Sequence, residues 1–322
     1  MATARAQIAP PGQLGHYHCT IRCVQQMFLC GIDHTTGKNF DHRRQWIEDR
    51  IFELANVFAV SIHAYAVMSN HYHLVLTIDP DYVAEWDDLE IAQRGVMLHQ
   101  RADETEEQQL ARVLVWRDTP AQIAKLRQRL GSLSEFMKAL NESIAKRANK
   151  ESGKSGNFWQ DRFHCQSLED DAAILAVMAY VDLNPVRATM AESLAHSQHT
   201  SAKLRLEQIS ADRQRATDSL LPIAGLKHRP ILDMTAIAYL DLVEQTGRAV
   251  HQGKRGTIAA SSLPVLRQFG LSGDQWQIQV LGIGSRYWRA VGCVDSLLQL
   301  AERLGQQWVR GLVGARELER NA

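Results

Sequence analysis

Residues 60–78 read VSIHAYAVMSNHYHLVLTI, and this stretch decides the fold. Val60 to Val67 and Tyr72 to Ile78 are two runs rich in β-branched, aromatic and other apolar residues, which is typical of strands. The short segment between them, Met68 to Asn70, contains Ser and Asn and is typical of a tight turn. We therefore predict a β-hairpin over residues 60–78.

The segments on either side of the hairpin predict the rest of the core. The order becomes strand, helix, strand, strand, helix, strand, helix, and its first six elements form a ferredoxin-like unit. The fold class is therefore α+β: a ferredoxin-like antiparallel sheet with helices on one face, plus a mainly helical insertion and C-terminal region. The predicted strands outside the hairpin cover 16–24 and 158–167. The predicted helices are a five-turn helix capped by Asn39 or Asp41, a helix that runs from its cap at Ser132 or Ser134 to Asn149, and a helix over 172–183 capped by Asp170 or Asp171.

Changes in composition divide the chain. Residues 1–13 contain Pro10-Pro11 without an apolar run, which predicts a flexible lead-in and not a signal peptide. The core domain is assigned to 14–195. A polar, charged insertion with three helical stretches interrupts it at 79–131. Residues 196–322 are predicted to form a helical C-terminal accessory region.

The composition of the 322-residue chain excludes several protein classes. No run of roughly 18 apolar residues is present, which argues against a membrane span or a membrane partner. The five cysteines include no CxxC pair, so we expect no zinc knuckle or disulfide framework and a cytoplasmic location. The net charge is zero, which argues against coating of long duplex DNA, yet residues 138–162 carry six basic and three acidic residues.

His71 and His73 are the first candidate for chemistry. Successive side chains of a strand point to opposite faces, so these two imidazoles share one face, about 7 Å apart, and can bind one metal ion. The alternative is a pair of half-exposed histidines without a ligand. A second HxH pair, His16 and His18, begins the first predicted strand, and we interpret that pair as structural.

Tyr180 and Asn184 are the second candidate. A phenol can attack a phosphodiester and keep the bond energy as phosphotyrosine, and a divalent cation on the phosphate would assist it. Asn184 lies one helical turn further on, so its amide can face the same way and join the metal ligands. Two alternatives stay open. Tyr180 can be an aromatic residue that packs in the core from an apolar helix, and Asn184 can be the N-cap of a helix that begins at Pro185.

A third segment, Gly156 to His164, interleaves aromatic, polar and basic residues. Trp159 and Arg162 suit base stacking and phosphate contact on single-stranded DNA. Lys150 and Lys154, just upstream, are further candidates for phosphate contact. The alternatives are an aromatic strand that packs in the core and lysines on a solvated helix face.

Taken together, these motifs resemble the single-tyrosine HUH transposases, and most closely the REP-associated tyrosine transposases. The family pattern has a YH-type first strand, then M-P-N-H-V-H-L, then G-x-x-W-Q-x-R-F, then Y-V/I-x-x-N-P-V-R-A. The matching stretches here are Tyr17 to Arg22, Met68 to Leu76, Gly156 to Phe163 and Tyr180 to Ala188. Ser69 stands where the family has Pro, and the similarity spans about residues 14–190 apart from the insertion.

The resemblance implies an enzyme that cuts and rejoins DNA. It implies Tyr180, His71 and His73 as catalytic residues, and Mg²⁺ or Mn²⁺ bound by His71, His73 and Asn184. Tyr180 would attack a hairpin-forming single strand and leave a 5′-phosphotyrosine and a 3′-OH. No small-molecule cofactor is implied, and self-association is permitted.

Two alternative functions share this resemblance. One is a domesticated protein that binds a DNA hairpin without cutting it, which would not need the complete set of two histidines and a tyrosine. The other is rolling-circle replication initiation or conjugative relaxation. The chain contains no P-loop pattern GxxxxGK[ST], which argues against the larger relaxases.

Overall fold

The computed structural model describes residues 8–24, 28–33, 36–227, 230–251, 262–284 and 289–320. The first seven residues of the predicted lead-in lie outside these ranges. The described helices are α1 (Arg43–Ala55), α2 (Asp88–Leu98), α3 (Glu106–Arg117), α4 (Pro120–Leu130), α5 (Leu133–Ser152), α6 (Asp171–Asp182), α7 (Asn184–Arg187), α8 (Ser201–Ala211), α9 (Ala236–His251), α10 (Leu263–Gln268), α11 (Gly273–Gly282), α12 (Val294–Arg303) and α13 (Leu312–Arg320). None of the helices in this part of the chain is long and apolar enough to cross a membrane.

Four antiparallel strands form the centre of the sheet. They are β1 (Gly15–Arg22), β2 (Val60–Val67), β3 (His71–Ile78) and β4 (His164–Leu168), in the spatial order β2-β3-β1-β4. β1 pairs with both β3 and β4, and β2 pairs with β3 through the predicted hairpin. This order with the intervening α1 and α5 confirms the α+β fold and its ferredoxin-like arrangement.

The C-terminal region extends both edges of the sheet. β5 (Ala224–Gly225) pairs antiparallel with β2, and β6 (Ala290–Val291) pairs in parallel with β4. The sheet is therefore mixed and has six strands in the described residues. Sequence patterns did not predict these strands, because two residues are too few to show the alternation of a strand.

Helices cover both faces of the sheet, where the sequence predicted one. Tyr17 and Tyr72 point from β1 and β3 into a core that they share with α1 and α5. Val75 points the other way and packs against α6, whose residues form a second core with helices of the C-terminal region. Because α6 lies between the sheet and those helices, it is apolar on nearly all sides and not along a single stripe.

Local capping explains where the helices begin. Ser132 accepts a hydrogen bond from the Glu135 amide at the start of α5, and Asp170 accepts one from the Ala173 amide at the start of α6. Each such cap contributes about 1 kcal/mol. The predicted caps of α1 were wrong: the residue before this helix is His42, which makes no side-chain cap, and the helix has 13 residues, fewer than five turns.

The last core strand is shorter than predicted. β4 begins at His164, and the aromatic residues before it form only an isolated bridge between Trp159 and Cys23. The insertion leaves the core and returns to it at neighbouring points. A Cβ atom on Gly131 would lie 3.1 Å from the Cα atom of Pro80, so the segment with the three insertion helices begins and ends near the C-terminal end of β3.

Candidate active site

Three imidazoles lie together on the α6 side of the sheet. The alternation of β3 places His71 and His73 on this face, and their ring centres are 4.9 Å apart. His18 of β1 lies beside His73, with ring centres 5.2 Å apart and the ring planes 13° from parallel. The structure therefore brings the two predicted histidines together and adds a third.

His73 is the most enclosed of the three. Its side chain is buried, and its Nε2 atom has no hydrogen-bond partner among the described residues. Burial lowers the pKa of His73 well below its ordinary value, and His18, His71 and Arg187 lower it further. The imidazole is consequently neutral near pH 7 and offers a lone pair, which is the state that binds a metal.

His71 lies at the start of β3, beside the hairpin turn. Its Nδ1 atom is 2.6 Å from the Oδ1 atom of Asn70, which can only accept, so Nδ1 is the donor of this bond. Burial lowers the pKa of His71 to about 4, with a smaller contribution from Arg22. The neutral ring therefore has its lone pair on Nε2.

His18 was interpreted from the sequence as structural, yet it contacts His73 directly. Its Nε2 atom lies 2.9 Å from the Nδ1 atom of His73, and its Nδ1 atom lies 2.7 Å from the Oε1 atom of Gln166 on β4. Burial lowers the pKa of His18 to about 4. The signal in the sequence was the second HxH pair, but the role of Gln166 depends on the register of β1 with β4, which pairs these two residues.

Tyr180 enters the same space from α6. Its ring meets His73 edge-on with centres 5.8 Å apart, and it meets His18 edge-on with centres 6.1 Å apart. The guanidinium of Arg187, one short turn into α7, lies over the ring. Tyr180 is only partly buried. Its ring packs against the second core, as the core-aromatic alternative predicted, but part of the side chain stays accessible.

Asn184 is the first residue of α7. The residue before that helix is Leu183, so the capping alternative does not describe this side chain. The Nδ2 atom of Asn184 is buried and has no hydrogen-bond partner among the described residues. The unused group is an NH₂ donor, which can donate to an oxygen acceptor such as phosphate, whereas a cation would bind this amide through Oδ1.

The C-terminal region closes one side of the site. A Cβ atom on Gly284 would lie 3.0 Å from the hydroxyl oxygen of Tyr180, so the backbone just after α11 lies against that hydroxyl. The Ile283 carbonyl next to it accepts a hydrogen bond from Gln166 at 3.5 Å. Nothing in the sequence of residues 196–322 indicated that this region borders the site.

One of the predicted DNA contacts, Trp159, faces away from the histidines. The indole of Trp159 donates to the Asn141 carbonyl of α5 at 2.9 Å and meets the ring of Tyr72 edge-on, on the opposite side of the sheet. Trp159 is thus partly held in the core. Arg162, Lys150 and Lys154 are exposed, and the two lysines lie at and just beyond the end of α5.

The side chains of the site include possible ligands for a divalent cation. In the described ranges, no group of three or more His, Cys, Asp or Glu side chains is arranged to hold a metal ion. The site has two neutral imidazoles and one carboxamide. Among the described residues the Nε2 atom of His73 is buried without a partner, and Asn184 would offer a cation its Oδ1 atom. This set fits a cation that completes its shell with phosphate or water oxygens.

Neither a protein-family model nor a curated protein matches the sequence. Among solved structures, the chain is similar to one described as the structure of the REP-associated tyrosine transposase bound to a REP hairpin. The TM-score is 0.34 and the identity 12%, over 65% of this chain and 87% of that one. A similarity of this extent is distant.

Proposed function

We propose that this protein is a transposase-like enzyme that cuts and rejoins single-stranded hairpin DNA, with Tyr180 as nucleophile. One observation carries the proposal. A partly exposed tyrosine and a buried histidine with an unpartnered Nε2 atom lie with ring centres 5.8 Å apart, and a second neutral histidine stands beside them. A tyrosine and a metal-competent histidine pair are the groups that phosphodiester transfer needs.

His71, His73 and Asn184 would hold Mg²⁺ or Mn²⁺. The bound cation would polarise the scissile phosphate and offset the charge that develops on it. The two imidazoles can take this role at neutral pH because burial keeps them unprotonated. Arg187 adds a fixed positive charge on the same side as the Tyr180 ring.

In the proposed reaction the Tyr180 hydroxyl is the nucleophile. Its oxygen forms a bond to phosphorus while the bond from phosphorus to the 3′ oxygen breaks. The phenolic proton passes to water, and the 3′ oxygen takes up a proton from water. The products are a 5′-phosphotyrosine and a free 3′-OH, and the reverse attack by a 3′-OH rejoins the strand.

A search for a covalent adduct tests the proposal. Purified protein is incubated with a labelled library of single-stranded DNA hairpins and with Mg²⁺, Mn²⁺ or chelator, and adducts are resolved on a denaturing gel. We expect a metal-dependent adduct that mass spectrometry assigns to Tyr180. It should be absent from Tyr180→Phe and from His71→Ala, and present in the matched control Tyr82→Phe.

The other outcomes are equally informative. Hairpin binding without an adduct under any metal would favour the non-cleaving hairpin-binding protein. An adduct on another tyrosine would refute the role of Tyr180. Neither binding nor adduct with a library that samples the native hairpin would refute the proposed substrate.

A further inference from the structure

Three hydrogen bonds in series connect the C-terminal region with His73. The Nε2 atom of Gln166 donates to the Ile283 carbonyl at 3.5 Å, and the Oε1 atom of Gln166 is 2.7 Å from Nδ1 of His18. The Nε2 atom of His18 is then 2.9 Å from Nδ1 of His73. We refer to Gln166, His18 and His73 as the relay. His18 and Gln166 face each other across β1 and β4, so the sheet register holds the relay in place.

The relay has one consistent direction of donation. A carbonyl only accepts, so the Gln166 amide turns its NH₂ group towards Ile283 and its oxygen towards His18. That oxygen also only accepts, so Nδ1 of His18 carries the hydrogen. His18 is buried, and its ring nitrogens contact Gln166 and His73, neither of which is an anion that would hold a second proton on the ring. Its Nε2 atom is therefore an acceptor, and Nδ1 of His73 must carry a hydrogen. The remaining lone pair of His73 is on Nε2, the atom that has no partner.

We propose that His18 is a positioning residue, which holds His73 in the tautomer with hydrogen on Nδ1 and so presents the Nε2 lone pair to a divalent cation. The part of this inference that concerns a cation rests on the proposed function. The tautomer itself follows from the hydrogen bonds together with the burial of His18. Gln166 and the Ile283 carbonyl act through His18, which gives the C-terminal region a part in ordering the site.

A packing role for His18 makes a different prediction. The two ring planes are nearly parallel with their centres 5.2 Å apart, and a phenylalanine would keep an aromatic ring beside His73. Phenylalanine lacks the Nε2 acceptor, however, so it would leave the Nδ1 hydrogen of His73 without a partner. Glutamine is the reverse: it has no ring, but its amide group can reach roughly the position of the imidazole Nε2 atom and accept a hydrogen bond. His18→Phe and His18→Gln therefore distinguish a role of His18 in ring packing from a role as hydrogen-bond acceptor for His73.

The first measurement needs neither metal nor DNA. The full chain is labelled with ¹⁵N-histidine, its imidazole nitrogens are observed by NMR, and the His73 signals are identified by their loss in His73→Ala. In the wild type and in His18→Gln we expect hydrogen on Nδ1 of His73. In His18→Phe we expect a mixture of both tautomers. Hydrogen on Nε2 of His73 in the wild type, or an unchanged tautomer in His18→Phe, would overturn the relay.

The second measurement is Mn²⁺ affinity, determined from the free ion by electron paramagnetic resonance. Residues that orient a ligating histidine typically contribute about 10- to 100-fold to metal affinity. We expect His18→Phe to weaken binding about tenfold or more, and His18→Gln to retain most of it. If the tautomer changes and the affinity does not, His18 has no role towards the cation.

These two readouts also separate failure of the relay from failure of the proposed function. A wild type that binds no Mn²⁺ and forms no DNA adduct would refute the proposed function, while the NMR result would still decide the tautomer. If circular dichroism shows that His18→Phe is unfolded, Gln166→Leu takes its place. That variant keeps His18 and removes the acceptor that fixes its tautomer, so the same mixture at His73 is expected.

Discussion

The guanidinium carbon of Arg187 lies 4.8 Å from the centre of the Tyr180 ring. A cation over an aromatic face contributes about 0.5–1 kcal/mol at an exposed site, which corresponds to roughly two- to fivefold in rate. It holds the ring in place and also adds positive charge near the attacked phosphate. We expect Arg187→Ala to slow adduct formation about threefold to tenfold, in single-turnover assays at saturating hairpin DNA.

Arg187→Lys provides the finer comparison for this contact. Lysine keeps the charge but lacks the flat guanidinium that covers the ring, so an intermediate rate is expected. Arg213→Ala, which changes a distant arginine, should leave the rate as in the wild type. An unchanged rate in Arg187→Ala would show that this contact does not contribute to the reaction.

Gly284 defines how closely the C-terminal region approaches the nucleophile. Its backbone is outside the left-handed region, so alanine is compatible with the local conformation, but the added Cβ would be 3.0 Å from the Tyr180 hydroxyl. The ring must shift by a few tenths of an ångström or more. Since a displacement of about 1 Å can cost up to about a hundredfold in rate, we expect Gly284→Ala to slow adduct formation about tenfold.

The control for this prediction is Leu281→Ala, which changes an exposed side chain three residues earlier. Both variants should unfold at nearly the wild-type temperature, because Leu281 is an exposed residue and Gly284→Ala adds only one methyl group. An adduct rate in Gly284→Ala equal to that of Leu281→Ala would indicate that the segment after α11 moves away from Tyr180 when DNA binds.

The parts of this site that the sequence predicted are those set by local patterns. The faces of His71 and His73 follow from the two-residue period of a strand, and the spacing of Tyr180 and Asn184 follows from the helical turn. His18 and Gln166 are 148 residues apart, and their contact depends on which strands are neighbours. A local pattern carries no such information, so the relay became visible only in the folded chain.

The wrong predictions have a similar cause. The aromatic residues from Phe158 onward have high strand propensity, but the indole of Trp159 finds its partner on α5 and not across a ladder. Tertiary contacts outweighed local propensity there. The helices on the second face of the sheet were not predicted. Because α6 is apolar on most sides, its sequence does not indicate which elements it packs against.

Tyr239 connects the C-terminal region with the helix that carries Tyr180. Its hydroxyl donates to the buried carboxylate of Asp182 at 2.6 Å, and the Ser201 hydroxyl and the Ala202 amide donate to the other oxygen. Removal of a hydrogen bond to a buried charged group costs about 1–3 kcal/mol. We expect Tyr239→Phe to lower the free energy of unfolding by this amount in urea titrations, and to speed hydrogen exchange in α9.

Tyr72→Phe is the matched control, because Tyr72 is equally buried and donates to Asn141 on the other side of the sheet. It should also destabilise the protein, but with faster exchange in α5 and not in α9. Equal exchange of α9 in the two variants would mean that the Tyr239 contact does not hold the C-terminal region on α6.

Asp182 makes the stability of the protein depend on pH in a direction opposite to that of most carboxylates. Burial raises its pKa, and the hydrogen bonds from Ser201, Tyr239 and the Ala202 amide reduce the shift without reversing it. The folded protein therefore binds this proton more tightly than the unfolded chain. The contribution of this proton to the free energy of unfolding is fully present below the pKa of the unfolded chain, about 3.9. It is lost as pH rises through the raised pKa of the folded protein.

Asp182→Asn removes the titrating group and isolates its effect. The free energy of unfolding of the wild type, minus that of Asp182→Asn, should fall as pH rises from about 4 and level off once the folded carboxyl is ionised. The slope should not exceed about 1.4 kcal/mol per pH unit, the limit for one proton. Urea titrations between pH 4 and 7 measure this difference. A difference that increases with pH would show that the three donors outweigh burial, and that the ionised carboxylate stabilises the contact between α6 and the C-terminal helices.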